Sequence, residues 1–378
     1  MGGDFMHKFF KAAIVTGLFA LPAAGQANDL DAIKPEQLLP LAQKEGSVTI
    51  FSLSSRIAKV EKAFEEKYPG IDFIGLDMSS TKQIARLEAE QQAGVHAVDV
   101  LYIADTPVVL EKLVSKGAVT NYVPPRVADE IASQYQAPLL AHRLSTKVLM
   151  YNEKAFPNGS PVTNLWQLTM PEWKGKVLMV DPSLRGELLD LLTEIVLRPS
   201  EMAAAYKAQF GKDIAVDADL QGAGEQFVKD LFANDLILVP NSDVLNKSVG
   251  DVKAKQPPVG FGTYSDRRDN EKEGWALQVA KDVEPANGIL FPAVLAIPAK
   301  APHPAAARLL IDFMFGDDSP SGGPAYKPFD VPGDYATRET ISDNPDSVKL
   351  EELDAWTINP AKTAMARHRV ADLIITLQ

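Results

Sequence analysis

The sequence predicts an α/β protein built on a mixed, mostly parallel sheet with helices packed against it. Three observations carry that expectation. Strand-like and helix-like segments alternate three times near the start of the folded part. The first two strands each end in a short hydroxyl-rich turn that leads into a helix. The chain of 378 residues, 46% hydrophobic and 23% charged, is also long enough for two domains of ordinary size.

Residues 47–53 (SVTIFSL) are β-branched and apolar and read as a buried strand, ended by Ser54, Ser55 and Arg56. Apolar residues at Ile57, Val60, Ala63 and Phe64 then follow the spacing of one helix face, and Pro69-Gly70 stops that helix. A second strand over 71–76 leads through Asp77 and Ser79 to a helix over 82–92. The third strand, 98–103, precedes a helix over 107–116 that stops at Gly117. Further strands are expected at 144–151, 177–180, 236–239, 259–262 and 287–298. Helices are expected at 187–196, 303–315 and 361–377. The stretch 316–345, rich in Gly, Pro, Asp and Ser, reads as a long surface loop.

Composition narrows the function. With 50 acidic and 38 basic residues the formal net charge is −12, which disfavours a nucleic-acid partner. The chain has no cysteine, so disulfides, thiolate catalysis and Cys-type metal centres are excluded. At the N-terminus, His7, Lys8 and Lys11 precede or enter an apolar run at 12–21, and small residues follow with Gly25 and Ala27 in the −3 and −1 places of a cleavage site. This is the layout of a secretory signal peptide over 1–27, with Met1 or Met6 as the start. The run is too short to span a bilayer, which needs about 20 apolar residues. The mature chain is therefore expected in a periplasm.

In an open parallel sheet, ligands bind beyond the carboxyl ends of the strands, where helix N-termini offer free N–H groups and partial positive charge. The first two turns here carry Ser54, Ser55 and Arg56, then Ser79, Ser80, Thr81 and Lys82. Hydroxyls, free amides and a cation together suit an anion. Ser and Thr are also the preferred caps of a helix start, so the same residues fit plain capping. Ser183 and Arg185 stand at a later strand-to-helix junction, and Asn241, Ser242 and Asp243 follow another strand. Tyr102 and Asp105 end the third strand and are candidates to face the same cleft.

The order of segments resembles the extracellular solute-binding proteins of bacterial ABC importers, in the group with ferric-ion and sugar-phosphate binders. The matching stretches are VTIFSLSSR with AFEEKYPGIDF, MSSTKQIARLEAE, VDVLYIAD, VLMYNEKAFP with LWQLTMPEWKGKVLMVDPS, and GILFPAVLAIPAKAPHPAAARLLIDFMF. They cover nearly all of 47–315. The resemblance implies the two-lobed periplasmic-binding-protein fold, type II-like, with ligand in the cleft between lobes. Lobe one would comprise 28–145 plus 290–378, and lobe two 146–289. It further implies hinge closure, delivery to an inner-membrane ABC permease, a monomer, no cofactor and no catalysis.

Iron-binding members of that group present paired tyrosines with a His or carboxylate. Here the corresponding places read Pro240-Asn241-Ser242-Asp243, Ser54-Ser55-Arg56 and Lys82. Arg and Lys repel a trivalent cation but suit phosphate or carboxylate. The expected ligand is therefore an anionic organic solute: a phosphorylated sugar, a phosphonate or a sugar acid. No metal site is expected, although ferric iron stays the alternative. Arg56→Ala is expected to weaken binding far more than folding. A serine acylase of the penicillin-binding type is a third reading. Ser79-Ser80-Thr81-Lys82 fits S-x-x-K, Ser342-Asp343-Asn344 fits S-D-N, and Lys362-Thr363-Ala364 nearly fits K-T-G. The spacing of these elements and the loop setting of Ser342 argue against it.

Overall fold

The computed structural model describes residues 30–378; the segment 1–27 read as a signal peptide lies outside the described residues. The strands are β1 (Ser47–Ser52), β2 (Asp72–Asp77), β3 (Val100–Ile103), β4 (Val119–Thr120), β5 (Leu140–Asn152), β6 (Val177–Val180), β7 (Ile237–Val239), β8 (Val259–Gly262), β9 (Leu277–Val279), β10 (Gly288–Pro298), β11 (Tyr335–Ala336) and β12 (Trp356–Thr357). Their main path runs β2-β1-β3-β10-β5-β8-β6-β7. At one end β2, β1 and β3 are parallel, and at the other β8, β6 and β7 are parallel. Between the two sets run the long strands β5 and β10, antiparallel to each other and to both neighbours. Two parallel α/β halves are thus joined by crossing strands.

The longer helices are α1 (Pro35–Glu45), α2 (Ile57–Lys67), α3 (Ser80–Gln92), α4 (Gly186–Val196), α5 (Pro199–Phe210), α6 (Ala223–Ala233), α7 (Ser242–Val249), α8 (Pro304–Met314) and α9 (Pro360–Leu377). Helix α2 buries Ile57, Val60 and Phe64, the face its spacing predicts. The segment expected as a helix at 107–116 is a short turn, Thr106–Val109, that widens over Leu110–Val114. One apolar core joins β1 and β3 to α1, α2 and α8. Another joins β5, β6 and β8 to α4 and α6, with Trp166 packed edge-on to Tyr206 and Phe227. Helix α9 adds Val370 and Ile374 to this second core and packs on α4, while also meeting the Thr106–Val109 turn. Among the described residues no helix is long and apolar enough to cross a membrane.

One expectation fails. The stretch 316–345 is not a surface loop along its length. Tyr326, Phe329, Asp334, Tyr335 and Arg338 are all buried. The segment folds over β5, pairing Tyr335 with Leu144 and Ala336 with Arg143. Arg338 donates to the backbone carbonyls of Phe315 and Asp317 and to Glu130, so the irregular backbone is held by side-chain hydrogen bonds in place of a ladder.

Candidate functional site

Five parallel strands end at one cavity of about 350 Å³. Past β1 come Ser54, Ser55 and Arg56; past β2, Asp77 and Ser79. Arg185 and Glu187 follow β6, Ser242 and Asp243 follow β7, and Thr263 follows β8. This is where the topology of a parallel sheet places a ligand. Trp275 and Phe291 give the cavity apolar surface.

The crossing strand supplies what the turns do not. In β5 side chains alternate between faces, so Arg143, Ser145 and Lys147 share one face, and all three line the cavity. Arg143 is 1% exposed. Its Nη1 lies 2.5 Å from Asp334 Oδ1, and its Nε donates to the Tyr102 hydroxyl at 2.7 Å. Arg56 reaches the other oxygen of the same carboxylate at 2.7 Å, donates from Nε to Ser54 Oγ at 3.0 Å, and lies over the Phe329 ring. Burial alone would raise the Asp334 pKa, but Arg143 and Arg56 outweigh it and hold the carboxyl below its ordinary value. Two guanidiniums share one buried carboxylate, which leaves an excess of positive charge under the cavity floor.

Lys147 is 8% exposed. Its Nζ donates to Thr263 Oγ1 at 2.6 Å, and no carboxylate lies within ion-pair distance among the described residues. Burial pushes its pKa down; Glu187 opposes that shift, while Arg185 and Arg143 add to it. Arg185 has no side-chain hydrogen bond or ion pair among the described residues, and its charge acts on Asp77, whose pKa burial raises and Arg185 lowers. Arg268, by contrast, is held by Asp266 at 3.0 Å and Asp269 at 3.2 Å. The lining thus contains Arg56, Arg143, Lys147, Arg185 and Arg268 but also Asp77, Glu187, Asp243, Asp266 and Asp269. The site is not a uniformly positive pocket: a cationic floor faces carboxylates, of which Asp77, Glu187 and Asp243 make no ion pair among the described residues.

Seven of the residues named from sequence line the cavity: Ser54, Ser55, Arg56, Ser79, Arg185, Ser242 and Asp243. The other seven are placed elsewhere. Ser80 is buried, and its Oγ accepts from Ala104 N at 3.1 Å. Helix α3 buries Ser80, Gln83, Ile84 and Leu87, so the same helical period turns Thr81 and Lys82 outward. Tyr102 is fully buried below the floor, accepting from Arg143 and donating to His142 Nδ1 at 2.9 Å, while His142 Nε2 donates to Met314 O. Burial, the largest cause, lifts the Tyr102 pKa to about 12 and drops that of His142 to about 3. Asp105 sits in the left-handed region at φ 58°, paired with Arg367 of α9. A Cβ on Gly186 would stand 2.1 Å from Asp105 Oδ2, so the start of α4 needs glycine for this close approach. Ser183 is exposed in its turn, with its backbone N–H on Asp181 at 2.8 Å. Asn241 caps α7, accepting from Val244 N at 3.0 Å.

Sequence reasoning missed Arg143, Ser145, Lys147, Glu187 and Thr263. A partial signal existed for the first three: Arg143, Ser145 and Lys147 stand at every second position of a strand, although His142 and Thr146 on its other face are polar too. Among the described residues no tyrosine or histidine lines the cavity, so that donor set lacks the phenolates and imidazoles expected for ferric iron. Neither Ser342 nor Lys362 lines it, and Lys362 stands in the first turn of α9.

The model of the family described as bacterial extracellular solute-binding protein matches residues 52–319. The comparison with curated proteins finds no match. Among solved structures, iron-bound HitA of Pseudomonas aeruginosa superposes with a TM-score of 0.67 at 17% identity, over 88% of this chain and 99% of that one. AfuA of Actinobacillus pleuropneumoniae, with fructose-6-phosphate bound, gives 0.65 at 18% identity, over 87% and 96%. AgtB of A. tumefaciens R10, in complex with agropinic acid, gives 0.61 at 14% identity, over 88% and 98%. These likenesses show a shared fold, that of two-lobed periplasmic binding proteins.

Proposed function

The chain belongs to the bacterial extracellular solute-binding protein family, and on that premise we propose that it is the periplasmic substrate-binding component of an ABC importer that captures a small anionic organic solute. One observation carries the choice of an anion. Arg143, Ser145 and Lys147 present two cations and a hydroxyl along one face of β5 into the cavity, and the ammonium of Lys147 makes no ion pair among the described residues. A buried cation without a partner is costly, and an anionic ligand removes that cost with charge-assisted hydrogen bonds. Ser54, Ser79 and Ser242 add donors from the strand-end turns.

In this reading the segment 1–27 directs export and is removed before Asn28. The monomer then closes about β5 and β10, with lobes dividing near Ser145 and Leu290, and hands the solute to an inner-membrane permease. Helix α9 straps both lobes, since Arg367 holds Asp105 of one and donates to Gly186 O of the other.

Thermal unfolding of the mature protein against a panel of phosphate esters, phosphonates, sugar acids and Fe(III) tests the proposal. A ligand at about 100 times its Kd stabilises by about 2.7 kcal/mol. An organic anion is expected to raise Tm by several degrees. A rise with Fe(III) alone, or with neutral solutes alone, contradicts the reading.

A further inference from the structure

Resting on the anion reading above, we infer that the solute is polyhydroxylated and that Glu187 is the residue that selects for its hydroxyl groups. Glu187 is 5% exposed and lines the cavity, yet among the described residues its carboxylate has no hydrogen bond and no ion pair. A buried carboxylate with open acceptor sites calls for donors. It stands in the first turn of α4, an 11-residue helix whose N-terminal dipole favours a negative charge there. Asp77 and Asp243 line the same cavity, also without side-chain partners among the described residues.

The charges around these groups decide the kind of donor. Lys147 acts on Glu187 and Arg185 acts on Asp77 through space, so both carboxylates already have a cation nearby. What they lack is a hydrogen atom within bonding reach. A ligand ammonium would bring a further positive charge beside Lys147 and Arg185, whereas a hydroxyl donates without that repulsion. An anion lacking donors would face Glu187, Asp77 and Asp243 with like charge, and would leave the buried Glu187 without a donor, whereas Asp77 and Asp243 are exposed to water. Trp275 and Phe291 offer apolar faces against which the C–H faces of a sugar-like skeleton can pack. The resulting ligand has its acidic group at Arg143 and Lys147 and hydroxyls at Glu187.

Titration calorimetry on the mature protein with a hexose 6-phosphate, gluconate, propylphosphonate, 2-aminoethylphosphonate and glucose separates the possibilities. At least one hydroxylated anion is expected to bind about 10-fold or more tightly than propylphosphonate, the range set by hydrogen bonds to a charged acceptor. Glu187→Gln is expected to shrink that ratio to about 3-fold, because the hydroxylated anion loses a charged acceptor and propylphosphonate no longer faces a like charge there. Should that variant melt early, Asp243→Asn in the exposed turn is expected to shrink the ratio in the same direction. Equal or tighter binding of propylphosphonate or 2-aminoethylphosphonate overturns the hydroxyl inference and leaves the anion reading standing. So does a ratio unmoved in both variants. Glucose binding as tightly as its phosphate, or binding by no hydroxylated anion, overturns the inference, and the first of these also removes the anion reading.

Discussion

The cavity has two kinds of wall, and they use their polar residues differently. The turns that open helices hold a dense set of hydroxyls and charges, yet much of it is consumed by the turns themselves. Ser80 holds the backbone beyond β3, Asn241 caps α7, and Lys82 follows the outward face of α3. The crossing strand β5 spends none of its polar side chains on its own backbone; Arg143 is tied instead to Asp334 and Tyr102, and Lys147 to Thr263. Its backbone is satisfied by the ladders to β10, β8, β9 and β11, so Arg143, Ser145 and Lys147 line the cavity without any capping role. A polar residue at a helix start has a local use to exclude before a ligand is invoked. A polar residue on one face of a buried strand has no such capping use, although a distant side chain can still hold it, as Asp334 holds Arg143.

That contrast is broken most severely by removing the anchor beneath the strand wall. Asp334→Asn leaves two buried guanidiniums sharing no charge, and is expected to lower unfolding stability by about 3–5 kcal/mol in urea melts. Because the folded Asp334 pKa lies below its ordinary value, its contribution is complete above the unfolded value near ~3.9 and is lost as pH falls through the folded value. The variant should therefore lose the part of the acid limb that lies below about pH 4. An Asn variant as stable as the parent would show the anchor to be idle.

Arg56 sharpens the comparison, because it belongs to a turn but is tied to the same anchor. The expectation that Arg56→Ala affects binding far more than folding gives way to a double effect. Its loss leaves Asp334 with Arg143 alone and is expected to cost about 1–3 kcal/mol of stability together with affinity. A melt within about 0.5 kcal/mol of the parent would return Arg56 to a purely ligand-facing role.

Lys147→Met goes the other way. The folded pKa of Lys147 is lowered, so between that value and the unfolded value near ~10.4 the unfolded chain binds more protons and stability rises with pH. Below that window the buried charge is a standing cost. Methionine removes it, so the ligand-free variant is expected to be at least as stable as the parent at neutral pH and to lose the alkaline rise. A variant that is less stable by more than about 1 kcal/mol would mean that the ammonium is already compensated within the protein.

Much of the fold was legible. The alternation β1-α2-β2-α3-β3 follows from hydrophobic period and from Pro69-Gly70 as a stop, and the strand ends mark the cavity because parallel sheets bind ligands there. Burial of 316–345 was not legible. Gly, Pro, Asp and Ser mark turns without saying how deep they lie, and Asp334 meets Arg143 across 191 residues of chain. The site divides similarly. Arg143, Ser145 and Lys147 share a period of two within a strand, a signal blurred by the polar His142 and Thr146 on its other face; Glu187 left no signal, since an acid in the first turn of a helix looks like any other dipole-matched residue.

The most direct test sets the lysine of the strand wall against the outward lysine that follows a helix-opening turn: titration calorimetry of the tightest-binding organic anion against Lys147→Met and Lys82→Met. The strand wall predicts an affinity about 10- to 100-fold lower in the first variant, as for a lost charge-assisted hydrogen bond, and an unchanged affinity in the second. Unchanged binding in Lys147→Met, or a large loss in Lys82→Met, would contradict it.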